Sequence, residues 1–187
     1  MTDNPQAMIV PIRTPRLEIR RFQNEDLASF VDFMTDERST KYLMFDDSQK
    51  TKAGATGLFN AVVKSYDSQD QIHSYAIADR RSGTYVGSCG YSPYAHGIVE
   101  IYYAINREFT GQGLAKEATK ELVGRLAKHF EVRAYCSPDN EPAHAVALAS
   151  GLEDRGLDQH ISFGVEGRLF ALDETEDDKS GGENHNQ

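Results

Sequence analysis

Apolar positions change their period several times along the chain, and each change marks an element. The segment "RLEIRRF" alternates Leu17 and Ile19 with polar neighbours, the period of a half-buried strand. In "QNEDLASFVDFM" the spacing becomes helical, with Leu27, Phe30, Val31 and Met34 on one face and Asn24 placed to cap it. A second helical stretch is predicted from about Ser48 to Tyr66, weakened by Gly54 and Gly57. Runs rich in Tyr, Ile and Val follow near residues 73–79, 84–92 and 98–105. They are separated by "DRRSG" and "AHG", and together they predict an antiparallel meander.

The pattern then returns to a helix, in which Leu114, Ala118, Leu122, Leu126 and Phe130 recur every four residues beside Val123 and Ala127. "EVRAYCS" reads as a strand, and "NEPAHAVALAS" as a short helix with Pro142 in its first turn. "GLEDRGL" and "EGRLFAL" read as two closing strands. This order predicts an α/β (α+β) fold, a mixed and mostly antiparallel sheet of six to seven strands with helices on both faces. It argues against a doubly wound parallel sheet.

Composition narrows the picture. A length of 187 residues suits one domain, expected over residues 1–175, with an acidic disordered tail over 176–187. The net charge is −9, and the last fifteen residues, with six acids and one lysine, contribute −5 of it. Nucleic acid is therefore not expected as a partner, since phosphate binding calls for a basic face. Two cysteines, Cys89 and Cys136, fit a reducing cytoplasm. No apolar run has the length of a signal peptide or a membrane span, so a soluble protein without a membrane partner is expected. His73, His96, His129 and His160 share no spacing, and no metal site is expected.

The stretch "REFTGQGLAKEA" carries the first chemical signal. Gly111 and Gly113 stand at the mouth of the predicted helix, where unsatisfied amides and the positive end of the dipole favour an anion. The glycines serve either a phosphate or only a tight turn. A dinucleotide fingerprint is absent, because Lys116 occupies the third glycine position, and no Walker Gly-Lys-Ser/Thr follows. One strand earlier, the period of two puts Glu100, Tyr102 and Ala104 on one face.

The blocks "TPRLEIRRFQNEDL", "VEIYYAINREFTGQGLAKEA" and "NEPAHAVALASGLED" together resemble the GNAT acetyltransferase superfamily. The branch they resemble includes the ribosomal-protein alanine and serine N-acetyltransferases. That resemblance covers residues 13–172 and implies that the central strands splay apart. It also implies that the Q/R-x-x-G-x-G/A pattern, which falls on Thr110, Gly111, Gln112, Gly113, Leu114 and Ala115, wraps the diphosphate of acetyl-CoA. Thr110 stands where the family has Gln or Arg. Lys116 is placed to face a phosphate or solvent, and Asn140 either to contact the cofactor or to cap a helix. The freed backbone of Tyr103, Ala104 and Ile105 is expected to pair with the pantetheine arm.

For the chemistry the family has no one fixed base, and Glu100 on the splayed strand is the candidate, with Cys136, four residues before Asn140, a candidate acid and Tyr135 and His144 as others. The branch's serine is replaced by Ala143, and the following helix offers no tyrosine. Tyr102, Phe45 and Asp46 fall on the acceptor side, where the acids Asp36, Glu37, Asp46 and Asp47 suit a cationic amine. The implied activity is acetyl-CoA-dependent N-acetyl transfer to a primary amine, a protein N-terminus or a small molecule, by direct attack in a ternary complex. The alternative is a non-catalytic acyl-CoA-binding sensor or scaffold. A homodimer through sheet edges is compatible with either.

Overall fold

A computed structural model describes residues 9–172, so the acidic tail expected from residue 176 lies outside the described residues. The chain runs β1 (Ile12–Arg13), β2 (Leu17–Arg20), α1 (Leu27–Thr35), α2 (Glu37–Thr40), α3 (Lys52–Ser65), β3 (Ser74–Asp79), β4 (Tyr85–Ala95) and β5 (Ile98–Ile105). It continues with α4 (Leu114–Leu126), β6 (Glu131–Cys136), α5 (Glu141–Ala149), β7 (Glu153–Gln159) and β8 (Glu166–Ala171). All eight strands join one sheet in the order β1-β2-β3-β4-β5-β6-β8-β7. Every pair is antiparallel except β5–β6. The eighth strand, beyond the seven expected, is the two-residue β1, too short to carry a period of its own.

Helices α1 and α3 pack on each other over one face, where Phe30 and Phe59 meet Phe22 and Tyr85 at ring separations of 5.3–6.5 Å. Helix α4 packs against β2, β5 and β6 on the other face, burying Leu114, Ala118, Leu122, Val123 and Leu126. The expected stripe ran on to Phe130, but the helix ends at Leu126 and Phe130 lies in the turn leading to β6, against Tyr91. Strand β4 carries an irregularity in its register with β3 at Ile77/Ala78.

Two local expectations are corrected. Asn24 does not cap α1; it sits inside a 3-10 turn, and Asp26 closes that turn by accepting the Gln23 N–H at 2.8 Å. Asp26 is held there because Arg20 donates to both of its carboxylate oxygens, at 2.7 and 3.0 Å. Second, of the acids expected to suit a cationic amine, Asp36 is taken up by helix α2. The Asp36 carboxylate caps it, accepting from the backbone amides of Arg38 and Ser39 and from the Ser39 hydroxyl. The Ser39 bond and these amides hold the Asp36 carboxyl below the usual range.

The Arg20–Asp26 pair is nearly enclosed, with side-chain exposures of 11% and 3%. Removing one partner of a buried ion pair leaves the other charge uncompensated. Asp26→Ala is expected to lower unfolding stability by about 3–5 kcal/mol, read from urea midpoints.

Candidate active site

The site begins where the sheet opens. β5 and β6 pair in parallel from Ile98–Glu131 to Ile101–Ala134, and no pair follows. Beyond that rung β5 keeps its ladder to β4 through Ile105, and β6 keeps its ladder to β8 through Cys136. The two strands diverge while each retains an outer neighbour. Tyr103 spans the gap, donating its hydroxyl to the Ala143 carbonyl of α5 at 2.8 Å, with the hydroxyl 3.6 Å from the Cys136 sulfur.

Helix α5 begins at this opening, with Asn140 and Ala143 in its lining, and α4 follows β5 after the turn over residues 106–113. Gly111 and Gly113 hold φ of +78° and +75°, conformations that L side chains rarely adopt, and Gly113 is the N-cap of α4. No atom outside the immediate neighbours lies within 4 Å of a Cβ built at Gly111, and at Gly113 the nearest is an Arg16 guanidinium nitrogen at 3.6 Å. Thr110 closes the preceding turn through its hydroxyl on the Arg107 carbonyl at 2.9 Å. Gln112 and Lys116 are exposed, Leu114 is buried beneath the mouth and Ala115 is half-buried. Asn140 caps α5 through the Ala143 amide at 3.3 Å and also lines the cleft.

The mouth is anchored from a distant part of the chain. Arg16 donates to the Gln112 carbonyl at 2.8 Å and, through Nε, to Glu117 at 2.6 Å. The Arg16 amide and the Thr14 hydroxyl complete a three-sided cage around the Glu117 carboxylate, at 2.9 and 2.5 Å. Burial raises the Glu117 carboxyl, but these bonds outweigh it and leave the group below its ordinary value.

A cavity of about 350 Å³ fills the fork and extends under α1, α3 and the segment after α2. Glu100, Tyr102, Tyr103, Ala104, Cys136 and Asn140 line it, as does Phe45. Ile105, paired with Gly87, and the exposed Asp46 both stand outside the lining. Tyr102 lies across Gly90, where a Cβ would come 2.7 Å from the ring and 2.0 Å from the His73 carbonyl oxygen. That gap lets the Tyr102 and Ser74 hydroxyls bond to each other. Burial raises the Tyr102 phenol well above its ordinary value, so it stays protonated. The Cys136 thiol is likewise raised by burial, against the opposing effect of the Tyr103 bond.

The pairing that sequence reading missed is Glu100 with His160. His160 Nε2 lies 2.5 Å from Glu100 Oε2, although the residues are 60 apart in the chain. The Ser162 amide donates to His160 Nδ1 at 3.1 Å, so Nδ1 is an acceptor and the ring proton sits on Nε2, directed at Glu100. The imidazole is 6% exposed and enclosed by Phe163, Tyr135 and Tyr94 at 4.7, 4.9 and 5.3 Å. Tyr135 in turn bonds Tyr94 and Asp158 at 2.9 and 3.1 Å, and burial raises its phenol. One signal was present in the sequence: "HISFGV" is a turn built of apolar residues and a histidine rather than solvated ones.

A sheet forked between its central parallel strands, with the first of them leading to a helix mouth built on two positive-φ glycines, defines the class as the acetyl-CoA-binding GNAT fold. The acetyltransferase (GNAT) domain model matches residues 16–153, and the chain belongs to that family. An uncharacterized N-acetyltransferase p20 from Bacillus licheniformis is 23% identical over 149 residues, covering 77% of this chain and 83% of that protein. The crystal structure of a GNAT-family acetyltransferase from Bacillus anthracis superimposes with a TM-score of 0.70 at 20% identity, covering 86% of this chain and 96% of the other. RimL, a ribosomal L7/L12 alpha-N-protein acetyltransferase in complex with coenzyme A, has a TM-score of 0.69 at 12% identity, covering 86% and 96%. Other chains of the same fold are also named ribosomal-protein acetyltransferases.

The Glu117 cage yields a pH signature. A carboxyl held below its unfolded value contributes stability that is present above the ordinary 4.5 and lost as pH falls through the folded value. Glu117→Gln is expected to be less stable than the parent at neutral pH. The gap should narrow as pH falls below 4.5 and through the lowered folded value, as followed by urea midpoints in steps of pH.

Proposed function

We propose that the protein is an acetyl-CoA-dependent N-acetyltransferase that acetylates a primary amine by direct attack in a ternary complex. The observation that carries this reading is Glu100, hydrogen-bonded to His160 one rung before the strands part, with its carboxylate in the wall of the cleft. Acetyl-CoA, when bound, supplies an acyl carbon activated as a thioester. The residues present suit it: Gly111 to Ala115 offer amides for the diphosphate, Tyr103 to Ile105 a released strand edge for the pantetheine arm, and Asn140 a polar contact at the second helix mouth. RimL, which shares the fold, is named as a complex with coenzyme A, and this supports the choice of cofactor.

His160 does not act as the base itself in this reading. Its Nδ1 is occupied by the Ser162 amide and its Nε2–H points at Glu100. Among the described residues His160 is the one hydrogen-bond partner of the Glu100 carboxylate, so it orients one oxygen and leaves the other for the amine. As the amine nitrogen bonds to the acyl carbon and the carbon–sulfur bond breaks, Glu100 accepts the nitrogen's proton. Cys136, in the same cleft lining, is the candidate donor to the departing sulfur, and the proton that Glu100 has taken from the nitrogen replaces the one the thiol gives up. The products are the acetamide and coenzyme A as a free thiol.

Glu100→Gln is expected to lower kcat by about 10²–10⁴-fold, the range of a general base, with the Kd for acetyl-CoA unchanged. Gly113→Val forces a β-branched residue to positive φ at the α4 mouth, and is expected to weaken acetyl-CoA binding in isothermal titration. Thiol release that depends on an added amine tests the reading. Acetyl-CoA binding without release by any amine would return the protein to a non-catalytic role.

A further inference from the structure

Resting on the acetyl-transfer reading, we infer that the acceptor is a small aromatic monoamine, an amine on an aryl-bearing carbon chain with no acid group. Charge is the first observation. Of the side chains that line the cavity, Glu100 alone carries a formal charge. The charged groups behind it are engaged elsewhere: Arg133 with Glu131 at 2.7 Å, and Asp158 with the Tyr135 hydroxyl at 3.1 Å. A single carboxylate matches a single ammonium. A second ammonium would enter apolar walls with no counter-ion, and a substrate carboxylate would meet Glu100 with no cation to receive it.

Shape and polarity give the second observation. The cavity is walled by Phe30, Phe33 and Met34 of α1 and by Phe45, with Phe163 beside His160, so that apolar side chains and ring faces are available to an aryl group. Among its polar groups, Ser74, Ser88 and Tyr102 belong to the strands of the sheet, and those of Ser74 and Tyr102 bond each other. Ser88 is bonded to Tyr85 at 2.7 Å. The route outward passes Tyr42, Leu43, Met44 and Ile72. A peptide N-terminus would draw its amides past Leu43, Met44 and Ile72, which offer them no hydrogen bond and leave Tyr42 as the one polar side chain on that route, whereas a hydrocarbon body gains from the same burial.

The test measures thiol release from acetyl-CoA with four acceptors: phenethylamine, phenylalanine, a diaminobutane and a tetrapeptide with an N-terminal alanine. Acetyl-CoA binding is titrated in the same preparation. Phenethylamine is expected to exceed phenylalanine in kcat/KM by about 100-fold, the size of one charge left unpaired in a desolvated site. Met44→Arg, at a rim position 62% exposed, is expected to shift that ratio toward phenylalanine. Preference for the amino acid, the diamine or the peptide would overturn the acceptor class and leave the transferase standing. Bound acetyl-CoA with no turnover of phenethylamine would also overturn it. Absence of acetyl-CoA binding would instead remove the transferase reading beneath it.

Discussion

The ending of one parallel pair at Ile101–Ala134 is the constraint from which the site follows. A sheet cannot ordinarily lose a ladder at its centre, because the released amides and carbonyls need partners. Here the loss is tolerated because β4 and β8 hold the two strands from outside, so each is released on one side only. Tyr103 bridges the gap to α5 and keeps the fork at a defined width. A cleft with strand edge for walls is therefore produced inside a sheet whose outer margins are guarded. Edge strand β7 carries Glu153, Asp154, Arg155 and Asp158 and breaks register at Asp154/Leu157, which discourages pairing with another chain.

Around that fork, polar groups are held by partners from remote parts of the chain. A carboxylate facing an apolar cavity is costly unless it is hydrogen-bonded, and Glu100 is bonded by a histidine from the β7–β8 turn. That histidine is itself oriented by a backbone amide and confined by three aromatic rings, which leaves its ring little freedom to turn. The α4 mouth has the same logic. Its glycines supply conformation but no anchor, and Arg16 and Thr14, about a hundred residues earlier, fix the first helical turn through Glu117.

Much of the fold was legible because its elements carry strong periods. The alternation at Leu17 and Ile19, the aromatic meander and the stripe of α4 each reflect a local geometry that a few residues impose. Misreadings came where a tertiary partner chose between local options. Asn24 and Asp26 are both competent caps, and Arg20 decides for Asp26. Asp36 read as a free acid on the acceptor side, yet the amides of α2 occupy it. The glycine mouth and the shared face of Glu100, Tyr102 and Ala104 were readable, since positive φ and strand parity are properties of the chain itself.

His160 was not readable as a site residue, because nothing within its own segment specifies the strand 60 residues away that it meets. The sequence by itself determined the strongly periodic elements, the glycine helix mouth and the carboxylate on strand β5. Only the tertiary structure decided the rung at which β5 and β6 part, the partner of Glu100 and the single charge of the cleft. The reason is physical: periodicity and turn chemistry act within a few residues, whereas burial, pairing and charge compensation are set by which surfaces finally meet.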